Sequence, residues 1–142
     1  MRRRARRNNA MYEEKINAYF DAPERRAELV EAISRLVRIR SVREEPLPGM
    51  PFGPGPAAAL AEGLKLAEEL GFATRNYDNY VGTADLNDKE TALHILCHLD
   101  VVGEGTGWTV TEPYAPKEVD GMLYGRGTDD DKGPCLLYTS PS

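Results

Sequence analysis

His98 and Asp100 are the two side chains whose types and spacing are best suited to chemistry. They close the apolar run Thr91–Leu99, which is typical of a strand buried on both faces. Side chains at positions i and i+2 of a strand point the same way, so the Asp100 carboxylate is expected beside the His98 ring. Such a carboxylate can orient an imidazole that binds a metal. Taken alone, the pair favours an ordinary hydrogen-bonded histidine at a strand end, and His94 is predicted to be a core histidine.

A second feature is the glycine-flanked acidic loop 125–134, which contains the three successive carboxylates Asp129–Asp131. Like charges so close together are tolerated on a solvated loop or beside a cation. The spacing excludes a calcium loop, which needs alternate acids and a later glutamate. It also excludes a phosphate loop, because Lys132 is followed by glycine and proline rather than by serine or threonine. By itself, the acidic run favours a solvated turn.

The elements that must position these residues follow from hydrophobic periodicity. Apolar residues recur at helical spacing in three segments, so helices are predicted at Tyr12–Ala22, from Pro23 to about Arg38, and at Ala57–Leu70. A period of two then predicts strands at Phe72–Asp78, Tyr80–Leu86, Thr91–Leu99, Lys117–Val119 and Met122–Tyr124. The glycine-rich segment 103–107 is predicted to be a loop beside the site. Helices followed by strands favour an α/β layer fold.

Composition limits the class of protein. The chain has 142 residues, 41% hydrophobic and 29% charged, as in an ordinary globular domain. No apolar run approaches the roughly 20 residues that span a bilayer, so no membrane partner is expected. Apart from an arginine-rich start, the chain is acidic, which argues against nucleic acid as its main partner. Two cysteines make no disulfide framework, and the cytoplasm is the expected location.

Four motifs occur in a fixed order along the chain. They are His98-Leu99-Asp100-Val101-Val102, Gly107-Trp108, Tyr124-Gly125-Arg126-Gly127-Thr128 and Asp130-Asp131-Lys132-Gly133-Pro134. Together they resemble the dinuclear-zinc aminoacylase and carboxypeptidase superfamily. The segments 51–56, 80–82 and 39–42 make the closer resemblance its bacterial branch of PepV-type, or Xaa-His, dipeptidases. The resemblance covers about residues 11–134.

The resemblance implies a fold and a set of roles. The fold is the N-terminal part of a three-layer α/β catalytic domain with a mixed sheet, truncated before the lid domain. His98 is implied to bind one metal, Asp130 to bridge two, and Asp100 to orient His98 as a catalytic residue. The peptide bond after Asp130 is implied to be cis. The cofactor is two zinc ions per full-length site, and Mn²⁺ or Co²⁺ also suit histidine and aspartate ligands.

The implied activity is hydrolysis of a dipeptide or short peptide by water activated between two metals. The remaining ligands, the general base and the lid of the family have no counterpart in the 142 residues. The chain is therefore expected to be an inactive N-terminal fragment of a dipeptidase. The alternatives are a related deacylase or desuccinylase, a noncatalytic module that binds a cation, and a nucleic-acid binder acting through its arginine-rich start.

Both ends of the chain are expected to lie outside the catalytic domain, which is assigned to residues 11–134. Residues 1–10 form an arginine-rich head that is expected to be disordered, and Met11 is the alternative start. Residues 135–142 depart from the small apolar helix of the family and resemble a translated sequencing adapter. This tail is predicted to be an artefact.

Overall fold

The computed structural model describes residues 11–19 and 21–139. The predicted head 1–10 lies outside this part of the chain, as do residues 140–142. The helices are α1 (residues 11–19), α2 (Pro23–Val37), α3 (Pro54–Glu69) and α4 (Lys132–Thr139). The strands are β1 (Ala73–Tyr77), β2 (Val81–Asp85), β3 (Lys117–Val119) and β4 (Met122–Tyr124). None of the described helices is both long enough and apolar enough to cross a bilayer.

The core lies between α2, α3 and α4. Its buried apolar side chains are Ile33, Leu36, Val37, Leu66 and Leu136. Helix α2 starts with Pro23 in its first turn, where the missing N–H needs no partner. Helix α3 begins at Pro54, earlier than the predicted Ala57. Proline is tolerated in the first turn of a helix because its missing N–H would have no partner there.

The strands form two antiparallel hairpins. Strand β1 pairs with β2 in the register Ala73 opposite Asp85 and Tyr77 opposite Val81, and β3 pairs with β4. The first hairpin packs against α3. Four predicted strands are therefore present, and the predicted α/β class is confirmed.

The predicted strand Thr91–Leu99 is not formed, and this prediction is wrong. The segment pairs with no strand in the described part of the chain, and a strand needs a ladder partner for its backbone groups. Its side chains are largely open to solvent, with Leu93 75% exposed and Leu96 96% exposed. His94, predicted to be a core histidine, is exposed for the same reason.

The exposed apolar run 91–97 is expected to make the 142-residue chain associate with itself in solution, since unpaired extended segments and apolar patches attract one another. Replacing both Leu93 and Leu96 by lysine is expected to reduce this association. Light scattering coupled to gel filtration measures it. Leu47→Lys, at a leucine that is 51% exposed elsewhere, is the matched control and is expected to change nothing. A monomeric unsubstituted chain would contradict the prediction.

Gly55 lets the first turn of α3 touch the chain that follows α2. A Cβ built on Gly55 would overlap the carbonyl oxygen of Arg40 and crowd the Cα atom of Ser41. Gly55→Ala is therefore expected to lower the free energy of unfolding by about 2 kcal/mol, as overpacking does. Urea denaturation measures this loss. Gly103→Ala is the control, since a Cβ there meets nothing within 4 Å. Equal midpoints for the two variants would show that no close approach exists.

Candidate metal centre

The structure brings His98, Asp100 and Asp130 together. The Nε2 atom of His98 lies 3.0 Å from Oδ1 of Asp130. On the other side of the ring, Nδ1 lies 3.0 Å from the backbone oxygen of Asp100 and 3.4 Å from its Oδ1 atom. The three residues named from the sequence therefore form one cluster, although His98 lies on an exposed segment without regular structure rather than at the end of a buried strand.

The loop between β4 and α4 carries Asp130 to the ring. It passes close to its neighbours at Gly127, whose φ of 90° suits glycine and whose Cβ would lie 2.9 Å from Val101 Cγ1. The peptide bond Asp130–Asp131 is cis, as the family resemblance implies. Oδ2 of Asp131 accepts a hydrogen bond of 3.2 Å from the backbone N–H of His98. Asp131 therefore ties the two halves of the cluster together, a role that the sequence analysis missed.

Both ring nitrogens of His98 face acceptor oxygens. Partial burial lowers the pKa of His98, but the hydrogen bonds to the Asp100 backbone and to the Asp130 carboxylate outweigh it, and the pKa is raised. The proton between Nε2 and Asp130 Oδ1 occupies the place where a cation shared by the two side chains would lie. Metal ions compete with protons for such ligands.

The His98–Asp130 pair is compatible with a shared metal ion. Nitrogen and oxygen ligands that each lie about 2.0 Å from a tetrahedral zinc are about 3.3 Å apart, close to the observed 3.0 Å. The set is incomplete, because the described residues contain no group of three or more His, Cys, Asp or Glu that could hold a metal. A catalytic zinc site uses three protein ligands. The pair therefore fits part of a metal site.

Two fully buried polar residues hold the backbone on either side of the cluster, and the sequence analysis did not predict either of them. The Lys132 ammonium donates hydrogen bonds to the backbone oxygens of Leu36 and Ile39, and burial lowers its pKa to about 8. The Ser41 hydroxyl donates to the backbone oxygen of Leu99. The only sequence signal was their presence in family-like motifs, which does not predict burial.

The glycine-rich loop beside the cluster is held at Glu104. Its backbone oxygen accepts hydrogen bonds from Trp108 Nε1 at 2.8 Å and from Arg126 at 3.0 Å. The Arg126 guanidinium also stacks 5.3 Å from the centre of the Trp108 ring. The Glu104 carboxylate pairs with Arg40 at 2.5 Å. The segment is a loop, as predicted.

Comparisons with known proteins match part of this chain to a family of peptidases. Residues 94–140 match the family described as Peptidase family M20/M25/M40. The chain is 38% identical over 123 residues to "Putative dipeptidase YtjP" of Bacillus subtilis and 37% identical over 128 residues to "Putative dipeptidase SSP1012" of Staphylococcus saprophyticus. These matches cover 85% and 89% of this chain but 26% of each relative, so the chain spans about a quarter of their length.

The fold has a counterpart among solved structures. The crystal structure of human carnosine dipeptidase 1 superposes with a TM-score of 0.65 and 29% identity, over 89% of this chain and 29% of that one. The architecture is therefore that of part of a dipeptidase catalytic domain. The family match, the relatives and the structural neighbour all support the resemblance to the dinuclear-zinc peptidase superfamily.

Proposed function

We propose that residues 11–134 are the N-terminal part of a metal-dependent dipeptidase, and that His98 and Asp130 are two of its metal ligands. The observation that carries the proposal is the 3.0 Å contact between His98 Nε2 and Asp130 Oδ1. The chain folds so that two side chains far apart in sequence point their ligand atoms at one place. Asp130 is the proposed bridge between two metals, since its second carboxylate oxygen is available for a second cation.

When bound, a pair of divalent cations supplies Lewis acidity to the peptide carbonyl and lowers the pKa of the attacking water. Zinc is the proposed metal, and Mn²⁺ and Co²⁺ suit the same donors. The proposed role of Asp100 is to accept the Nδ1–H hydrogen bond of His98 on its backbone oxygen, with its carboxylate 3.4 Å from the same nitrogen. When a metal replaces the proton on Nε2, this bond would keep the remaining proton on Nδ1, leave the Nε2 lone pair for the metal and raise the basicity of that nitrogen.

The proposed substrate is a dipeptide or short peptide, because the similar proteins carry dipeptidase names. We place the enzyme in the cytoplasm, where a reducing environment keeps cysteines as thiols. A noncatalytic cation-binding module is the second candidate. It is favoured by one observation, the lack of a group of three ligands among the described residues.

The test uses the longer protein that contains residues 11–134 and the sequence that follows them in the gene. The protein is stripped with a chelator and then restored with zinc, and it is assayed on dipeptides and on N-acetyl and N-succinyl amino acids. Dipeptide hydrolysis that is lost on chelation and restored by zinc supports the proposal. Hydrolysis of acyl amino acids alone would replace it by a deacylase or desuccinylase. Zinc binding without any hydrolysis would favour the cation-binding module.

A further inference from the structure

Both halves of the metal cluster are fastened to one short stretch of chain, residues 36–41, which we call the α2 exit. It comprises the end of helix α2 and the residues that follow it. Lys132 fastens the Asp130 side to it, and Ser41 fastens the His98 side. The distance between His98 and Asp130 therefore depends on how these two attachments are placed on the α2 exit.

On the Asp130 side, the attachment is an ammonium group. Lys132 is 0% exposed, and its Nζ atom lies 2.9 Å from the Leu36 oxygen and 2.7 Å from the Ile39 oxygen. These carbonyls lie at the C-terminal end of α2, where the helix dipole is negative and a cation is stabilised. Because a buried charge is costly unless it is hydrogen-bonded, this geometry strongly favours one position of Lys132 and of the loop before it.

On the His98 side, the attachment is a serine that is also 0% exposed. The Ser41 hydroxyl lies 2.7 Å from the Leu99 oxygen, and the Val101 N–H lies 3.1 Å from the Ser41 backbone oxygen. These two bonds hold the backbone on both sides of Asp100, just after His98. The segment 91–97, in contrast, has no strand partner in the described part of the chain. The placement of His98 thus rests on Ser41, together with the hydrogen bond of the His98 N–H to Asp131.

We propose that Lys132 and Ser41 are positioning residues that hold His98 and Asp130 at metal-ligand distance by binding the same α2 exit. The inference rests on the proposed metal site. Neither Nζ of Lys132 nor Oγ of Ser41 touches a ligand side chain, so both act through the backbone. Metal ligands must be held within about 0.5 Å of their binding geometry, so small shifts at the α2 exit are expected to weaken metal binding.

The test is a Co²⁺ titration of the complete metal-stripped enzyme, followed by visible absorption. Ser41→Ala and Lys132→Met are each expected to weaken Co²⁺ binding at least about tenfold, the effect of losing an outer support of a metal ligand. Lys132→Arg, which keeps donors at this place, is expected to recover part of the affinity. Ser34→Ala, at another buried serine of α2, and Leu66→Ala, in the core, are the matched controls. Ser34 lies outside residues 36–41, and Leu66→Ala lowers stability without removing a hydrogen bond of the α2 exit.

A second readout separates positioning from stability. In the double variant Ser41→Ala/Lys132→Met, the loss of Co²⁺ affinity is expected to be smaller than the product of the two single fold losses. The reason is that both residues control the same His98–Asp130 distance. Unchanged Co²⁺ affinity in both single variants, while the unsubstituted enzyme binds well, overturns this inference and leaves the proposed function intact. The inference is also overturned if Ser41→Ala and Lys132→Met lose no more Co²⁺ affinity than Leu66→Ala does when the three variants have equal thermal stability. An unsubstituted enzyme that binds no Co²⁺ overturns both the inference and the proposed metal site.

Discussion

Replacing His98 by alanine, or Asp130 by asparagine, in the complete protein is expected to lower kcat/KM for dipeptide hydrolysis about a thousandfold. Each change removes a ligand atom from the 3.0 Å contact between the two proposed metal ligands. A catalytic metal contributes several kcal/mol to the transition state, and about 4 kcal/mol corresponds to three powers of ten in rate. Asp130→Asn keeps the size of the side chain, so packing is not the cause of the loss.

His94→Ala is the matched control for this prediction. It lies in the same apolar run as His98, and its side chain is exposed without a part in the cluster described above. It is expected to leave kcat/KM within about twofold of the original, as most exposed substitutions do. The metal content of each variant is measured alongside the rate. Full activity and full metal content in both His98→Ala and Asp130→Asn would exclude these residues as ligands.

The 142-residue chain by itself is expected to hydrolyse no dipeptide, with or without added metal. Its described residues bring together two candidate ligands, whereas a catalytic zinc holds three from the protein. A metal held by two side chains also exchanges readily with buffer ligands. Release of amino acids from a dipeptide panel, followed by chromatography in the presence of Zn²⁺, Mn²⁺ or Co²⁺, measures the activity.

The longer protein of the proposed function, assayed at the same molar concentration, is the positive control for the isolated chain. Chelator-sensitive hydrolysis by the isolated chain, lost again in its His98→Ala variant, would contradict the prediction. Such a result would mean that the two side chains and solvent suffice for the reaction. The same assay on the His98→Ala chain distinguishes this outcome from a contaminating peptidase.

Local sequence rules predicted the elements that are stabilised by local contacts. The helical spacing of Ile33, Leu36 and Val37 places one face of α2 in the core, and this face is buried. The turn at Asp120–Gly121 joins β3 and β4 as the pattern indicates, with Val119 opposite Met122. The motif order also predicted that His98, Asp100 and Asp130 would meet. Their roles as ligands and catalytic residue remain predictions.

Elements that depend on distant partners could not be predicted in the same way. The run 91–99 has the composition of a buried strand, but burial requires neighbouring strands, and the described residues provide none for it. Pattern analysis makes the opposite error at Lys132, because it predicts an exposed side chain where the structure has a buried one. A lysine beside three aspartates is expected in solvent, yet two carbonyls of α2 make a dry position favourable for its ammonium.

The reach of Lys132 back to Leu36 has a consequence for how the proposed metal site assembles during synthesis. The two residues are 96 positions apart, so α2 leaves the ribosome long before its lysine partner is synthesised. His98 also emerges before Asp130. A nascent chain therefore presents one ligand at a time and holds metal poorly until the loop that carries Asp130 has docked. Under the proposed function, these two ligands share a metal only after the loop before α4 has been synthesised and has docked, so their metal loading depends on the metal available at that stage of synthesis.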